Sequence, residues 1–292
     1  MTASQPMQGN STSTVLGRRL GGELIKLRVA SGLTQTHAAK TLTASTTKVA
    51  KMERGWVPMR DPDIRALCEL YGVHDPGVTG GLLELARIDR ERRKAKGWWN
   101  NYTNLGDMQE YVSLESAATV VRAWQAALIP GLLQTPDYVR TLRSALPAVK
   151  STEDEEFVAA RIARQERLTD AAPLTLHTVL WEAVLRNFPS GSTLARGQLD
   201  HLAEMAELSN VTLLVYPLDA GPHHGLSSSF NIISFAEPGA MDVVYLENSF
   251  TRRWIEGGEG AAAHEELFET IAARSLSESD SRSLLHRIRK EN

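Results

Sequence analysis

The sequence has one cysteine, Cys68, in 292 residues. A lone thiol has no internal partner, so no intrachain disulfide is available to hold the fold. A reducing, cytoplasmic setting is expected, beside the nucleoid if the chain binds DNA. Long apolar runs are missing as well. No stretch reaches the roughly 18 residues that mark a membrane-spanning helix, and no membrane role is expected. The opening residues, "MTASQPMQGNSTST", lack the apolar centre of a secretory signal and read as a disordered tail over 1–14. Net charge is only −3, which taken alone is silent about nucleic acid. No internal repeat is evident.

The 42% hydrophobic and 23% charged fractions are those of an ordinary globular protein. At roughly 150 residues per domain, the length suggests two domains. Charge is unevenly spread between them. From Val15 to Arg60 nine basic residues stand against Glu23 and Glu53, a surplus of seven, so the remainder carries −10. A basic segment on an acidic remainder suits nucleic-acid contact, although a solvated basic face has the same composition.

Leu16, Leu20, Leu24 and Leu27 form one helical stripe, stopped by Gly32. Thr34 is a candidate N-cap for a helix to Leu42. After a break at Thr43–Ala44, Ser45 is a candidate cap for "TTKVAKMER", which ends at Gly55. Ile64, Leu67, Cys68 and Tyr71 make a further stripe, so Cys68 reads as a packed core thiol. The basic run from Arg87 to Lys96 has two readings, a phosphate contact or a solvated connecting helix. Trp98 and Trp99 read as a packing anchor.

Two short helices and a tight turn suggest a helix-turn-helix. A small residue is needed where the helices approach, and Ala39 stands there. The second helix must be pinned by apolar residues, and Val49 and Met52 are three apart. Its outward face must stay polar, and it offers Thr46, Thr47, Lys48, Ala50 and Lys51. On these residues, "LTQTHAAKTLTASTTKVAKMERGWVP" resembles the lambda-repressor-like (Xre/Cro-type) helix-turn-helix family. The shared features are Leu33-Thr34-Gln35, Ala39, Val49, Met52 and Glu53-Arg54-Gly55. One departure is Thr43, where the family usually has glycine. A β-branched residue at positive φ costs on the order of 1 kcal/mol or more, so either the turn is reshaped or the strain is carried.

The resemblance implies that the helix 45–54 enters the major groove of double-stranded DNA, with two copies on half-sites about one helical turn apart. Thr46, Thr47 and Lys51 fall at base-reading positions, Lys48 and Gln35 at phosphate-holding ones, and Ser45 and Arg54 flank them. The threonine at the helix start has a second reading, as a cap only. With few long hydrogen-bonding residues on that face, direct discrimination is modest, and dimer spacing or DNA shape must add to it.

Composition changes after about residue 112. Residues 113–146 read as helix, a Pro-Gly bend at 130–131, and helix again. A helix with acids in its first turn follows from Thr152. "LTLHTVLW", "VTLLVYPL", "FNIISF" and "MDVVYLEN" read as strands, the last two joined by a hairpin-like "AEPGA". The expected fold is α+β, an all-α helix-turn-helix domain (15–75), a helical connector (76–112) and a larger mixed α/β domain (113–292). The stretch from about residue 97, above all "PGLLQTPDY" (130–138), resembles a domain that follows such helix-turn-helices in actinobacterial regulators. That resemblance implies control or partner binding, not a reaction. The chain is expected to be a dimeric transcription regulator whose C-terminal domain senses a ligand or a small protein. The alternative is an antitoxin-like module that neutralises a small protein encoded nearby and autoregulates.

Catalytic patterns are weak. Adjacent His223 and His224 sit beside serines and Asp219, but there is no Gly-x-Ser-x-Gly elbow. "HEELF" lacks the second histidine of a zinc helix, and "PSGST" lacks the lysine of a P-loop. His177 and His201 read as structural. No enzyme activity, cofactor or metal is expected. The glycine-rich loop 219–229, with His223 and His224, is instead a candidate ligand pocket.

Overall fold

The computed structural model describes residues 14–94, 97–102, 105, 108–144, 151–189, 191–236, 241–247 and 251–292. The tail expected over 1–14 lies outside them except for Thr14, as does most of the "AEPGA" connection. The chain divides into two compact units, residues 1–95 and 96–292.

The first unit holds α1 (Val15–Ala30), α2 (Gln35–Thr41), α3 (Thr46–Glu53), α4 (Asp61–Leu70) and α5 (Pro76–Lys94). Leu16, Leu20 and Leu24 are buried, with Leu27 packed at the margin. Ala39, Val49, Met52, Ile64, Leu67, Cys68 and Tyr71 complete this core. Each fully buried Leu or Ile contributes about 1.5–3 kcal/mol against exposure. Leu82, Leu85, Ala86 and Ile88 of α5 belong to the same core. The expected connector over 76–112 is therefore divided, because its first helix has an apolar face buried on α1 and α4.

Four of these helices end alike. After α1, α2, α3 and α4, two successive backbone N–H groups turn back to the last carbonyls, as in Leu33 to Arg28, Ala44 to Ala39, Trp56 to Lys51 and Val73 to Cys68. This ending needs one residue with positive φ. Glycine supplies it at Gly32, Gly55 and Gly72, with φ of 70°, 70° and 73°. At the helix-turn-helix turn the residue is Thr43, with φ 50°. The turn is not reshaped, and the strain is carried.

The second unit is built on a six-stranded sheet in the order β3-β2-β1-β4-β5-β6. Its strands are β1 (Val120–Gln125), β2 (Thr175–Trp181), β3 (Val211–Tyr216), β4 (Phe230–Ser234), β5 (Val243–Glu247) and β6 (Arg252–Glu256). β1 to β3 run parallel, and β1, β4, β5 and β6 pair antiparallel. Around them lie α6 (Met108–Ala117), α7 (Pro136–Ser144), α8 (Ser151–Gln165), α9 (Glu182–Arg186), α10 (Thr193–Met205), α11 (Gly258–Ala273) and α12 (Glu278–Glu291). One sheet face packs Trp124, Val179, Tyr216, Phe230, Ile232 and Val244 against Phe268 and Ile271 of α11. At the β3 edge of the sheet, Val215 N–H donates to Ser281 Oγ of α12 (2.9 Å).

Two strands differ from the sequence reading. β1 was expected to be helical and is instead one of the two central strands of the sheet. Its Val121, Ala123 and Trp124 are buried on opposite faces, so no polar alternation marks it as a strand. β6, "RRWIE", was not anticipated. It is an edge strand with exposed arginines, and strand propensity is weak there.

Candidate functional site

α3 presents Thr46, Thr47, Lys48, Lys51 and Arg54 to solvent, while Val49 and Met52 are each 2% exposed. Ser45 caps the helix, its Oγ accepting from Lys48 N–H at 3.1 Å. Ser45 is exposed. An Ala cap would cost roughly 1 kcal/mol.

The arrangement of α2 and α3 depends on Glu53, which is buried at the end of α3. Its carboxylate accepts two bonds from Arg28, Nε to Oε1 at 2.7 Å and Nη2 to Oε2 at 3.1 Å. Gln35 Nε2 donates to the same Oε2 at 2.7 Å. The pairing raises the Arg28 pKa further above its ordinary range. A buried carboxylate with three charge-matched or polar donors is satisfied, and loss of one partner leaves it costly. Gln35, expected to hold a phosphate, is thus committed by one amide hydrogen to joining the start of α2 to the end of α3. The clamp was not foreseen, since it joins residues on three helices.

A second polar node holds the chain just beyond the same end of α3. Arg93 Nη2 donates to the Gly55 carbonyl (2.6 Å) and to Thr14 Oγ1 (2.7 Å), while its Nε donates to buried Asp89 (2.8 Å). Thr14 in turn donates to Asp89 Oδ1 (2.5 Å) and caps α1. Arg87 pairs with Glu84 and Glu91, and Arg90 with Asp61. Of the two readings of the run 87–96, these three arginines serve intramolecular contacts. Lys40, Lys48 and Lys51 remain on the exposed surface around the turn.

Two short helices joined through buried Glu53, the second offering a polar, basic face, define a helix-turn-helix DNA-binding domain. Comparison with protein families agrees: residues 19–79 match the family described as "Helix-turn-helix domain". Residues 108–287, more than half of the chain, match "Domain of unknown function (DUF5753)", and the chain belongs to that family. Comparisons with curated proteins and with solved structures found no match.

In the second unit the two histidines do not share a site. His223 packs its ring on Trp124 (5.1 Å) and Tyr216 (4.5 Å), and its Nδ1 accepts from Gly225 N–H (3.0 Å). Burial, with Arg274 and His224 nearby, lowers its pKa and favours the neutral ring. His224 is exposed. Trp124 Nε1 donates to the Gly225 carbonyl (2.6 Å), and Tyr216 Oη donates to that of Gly221 (3.0 Å). These bonds pin the loop 219–229 to the core, and His223 Nε2 is buried with no hydrogen-bond partner among the described residues. Among the described residues no group of three His, Cys, Asp or Glu could hold a metal, and no helix is long and apolar enough to cross a membrane.

Proposed function

We propose that the chain is a sequence-specific transcription regulator of the Xre type. It binds double-stranded DNA as a homodimer, and its second unit senses a small molecule rather than catalysing a reaction. The observation that carries this is the outward face of α3, polar and basic, held by the Glu53 clamp. Thr46, Thr47 and Lys51 contact base edges and Lys48 a phosphate. Only Lys51 is a long donor there, and one good bidentate base contact is worth about 1–3 kcal/mol, so a second copy is needed for useful discrimination. A small-molecule role for the second unit is favoured over capture of a small protein by its cavity of about 480 Å³, within the range of ligand sites.

Selection of bound fragments from random duplex DNA with the full chain tests the proposal. Enrichment of paired half-sites about 34 Å apart is expected. Recovery of unrelated sequences with no shared element would refute sequence-specific binding.

A further inference from the structure

The cavity lies on the sheet face opposite the histidine loop, between β1, β4, β5, α6, α8 and the 130–134 segment. Among its described lining residues are three arginines and two carboxylates, a surplus of one positive charge. Two arginines are paired. Arg164 meets buried Glu115 through two bonds of 2.8 Å, and Arg252 Nε meets Glu247 at 3.1 Å. The third, Arg161, makes no hydrogen bond or ion pair to any described residue. Its guanidinium lies 5.1 Å from the Phe157 ring, and Glu115 and Glu247 attract it without hydrogen-bonding to it. Low-dielectric surroundings and the neighbouring Arg164 outweigh that attraction and push its pKa below the usual arginine range. A half-buried cation with no carboxylate hydrogen-bonded to it is costly, and its presence needs a reason.

The "PGLLQ" segment is shaped around this side chain. A Cβ at Gly131 would run into Arg161 Nη1 and come within 3.1 Å of Arg164 Nη1. The segment is itself held rigid. Gln165 Nε2 donates to the carbonyls of Gly131 (3.2 Å) and Gln134 (2.7 Å), and Gln198 Nε2 donates to that of Leu133 (2.7 Å). Gln125, Gln134, Ser229 and Asn231 add polar groups, and the wall also carries the apolar Val121, Leu128, Leu132 and Leu142.

We propose that this cavity binds a small organic monoanion, a carboxylic acid with an apolar body, its carboxylate held by the Arg161 fork. One unmatched charge fits one carboxylate, a planar guanidinium matches it through two parallel bonds, and the apolar wall takes the rest of the molecule. Inorganic phosphate, tetrahedral and without an apolar body, fits less well. The site identifies the ligand class of the sensing unit, and so its regulatory meaning rests on the function proposed above, although binding itself does not.

The test is a thermal-shift and calorimetric titration of the full chain, without DNA, against benzoate, phenylacetate, hexanoate and octanoate. The matching amides and inorganic phosphate serve as comparators. At least one acid should raise Tm progressively, with the logarithm of its concentration above Kd, and its amide should not. Arg161→Gln should raise the Tm of the ligand-free protein, because an unpaired cation is removed, and abolish the response to acid. Arg161→Lys, which keeps the charge but not the fork, and Gly131→Ala, which displaces the fork, should each weaken binding at least ten-fold. His224→Ala should leave it unchanged. The proposal is overturned if no acid binds, if amides bind equally, if phosphate binds more tightly than every acid, or if Arg161→Gln retains the response. Acid binding that leaves DNA affinity unaltered would uphold the site and refute the sensing role.

Discussion

Replacing Thr43 by glycine should make the protein more stable. Thr43 occupies the position that Gly32, Gly55 and Gly72 occupy at the other three helix ends, with the same hydrogen bonds and φ 50°. A side chain in this region costs about 1–2 kcal/mol. Glycine removes that cost, and its freer unfolded chain takes back about 0.4–1 kcal/mol. The net gain is about 1 kcal/mol, roughly a five-fold rise in the protection of amides that exchange through unfolding of this unit. Hydrogen exchange of the full chain, followed on peptides covering α2 and α3, measures it directly. Gly32→Thr supplies the converse. A Cβ there meets nothing within 4 Å, so the substitution tests φ alone and should accelerate exchange by a similar factor. If Thr43→Gly leaves protection unchanged or lowers it while Gly32→Thr lowers it, the strain assigned to this turn is refuted.

Three other outcomes are expected. Lys51→Ala should weaken binding to the selected site by about 1–3 kcal/mol and relax one base position, whereas Lys48→Ala should weaken all sequences alike and reduce the salt slope by about one. Competition binding over a salt series separates these, and identical behaviour of the two variants would contradict the assigned roles. Gly21→Ala should destabilise the first unit strongly, because its Cβ would strike the Glu53 carbonyl. Gly22→Ala faces open space and should stabilise it by about 0.5–1 kcal/mol, both read from chemical denaturation. His177, His201 and His223 all have pKa values lowered chiefly by burial. The unfolded chain therefore takes up protons first. Stability contributed above about pH 6.5 is lost as pH falls through that value toward the folded pKa. Thermal melts of the full chain should show this slope in the second unit, and His201→Met should shallow it. A slope unchanged by that variant would argue against His201 as a contributor.

The first unit was largely legible because its signals are local. Leucine spacing, the Ser45 cap, the Val49–Met52 pair and the glycine stops each act within about one turn of their own helix. Even the anomaly at Thr43 could be located before its geometry was known. The Arg28–Glu53–Gln35 clamp could not, since Arg28 and Glu53 are brought together only by packing of α1 against α3. The bond from Gln35 to Glu53 was hidden for the same reason: an amide at a helix start reads as a phosphate ligand, and its bond across to α3 is seen only once the helices pack. In the second unit β1 was hidden because a strand buried on both faces lacks the alternation that identifies one. Arg161 was unremarkable within a charged helix, and only the pairing of its neighbours Arg164 and Arg252 leaves it conspicuous.

The position of β1 has a consequence during synthesis. Val120 pairs with Thr175 on one side and with Ser234 on the other, and Trp124 is covered by α11, which begins only at Gly258. As the chain leaves the ribosome, this sticky segment must wait, unshielded, until most of the polypeptide has emerged. The helical unit ahead of it, whose contacts close over short separations, can mature in the meantime. Translation arrest between these two events would release a product with a closed helical unit and an unshielded strand prone to clump.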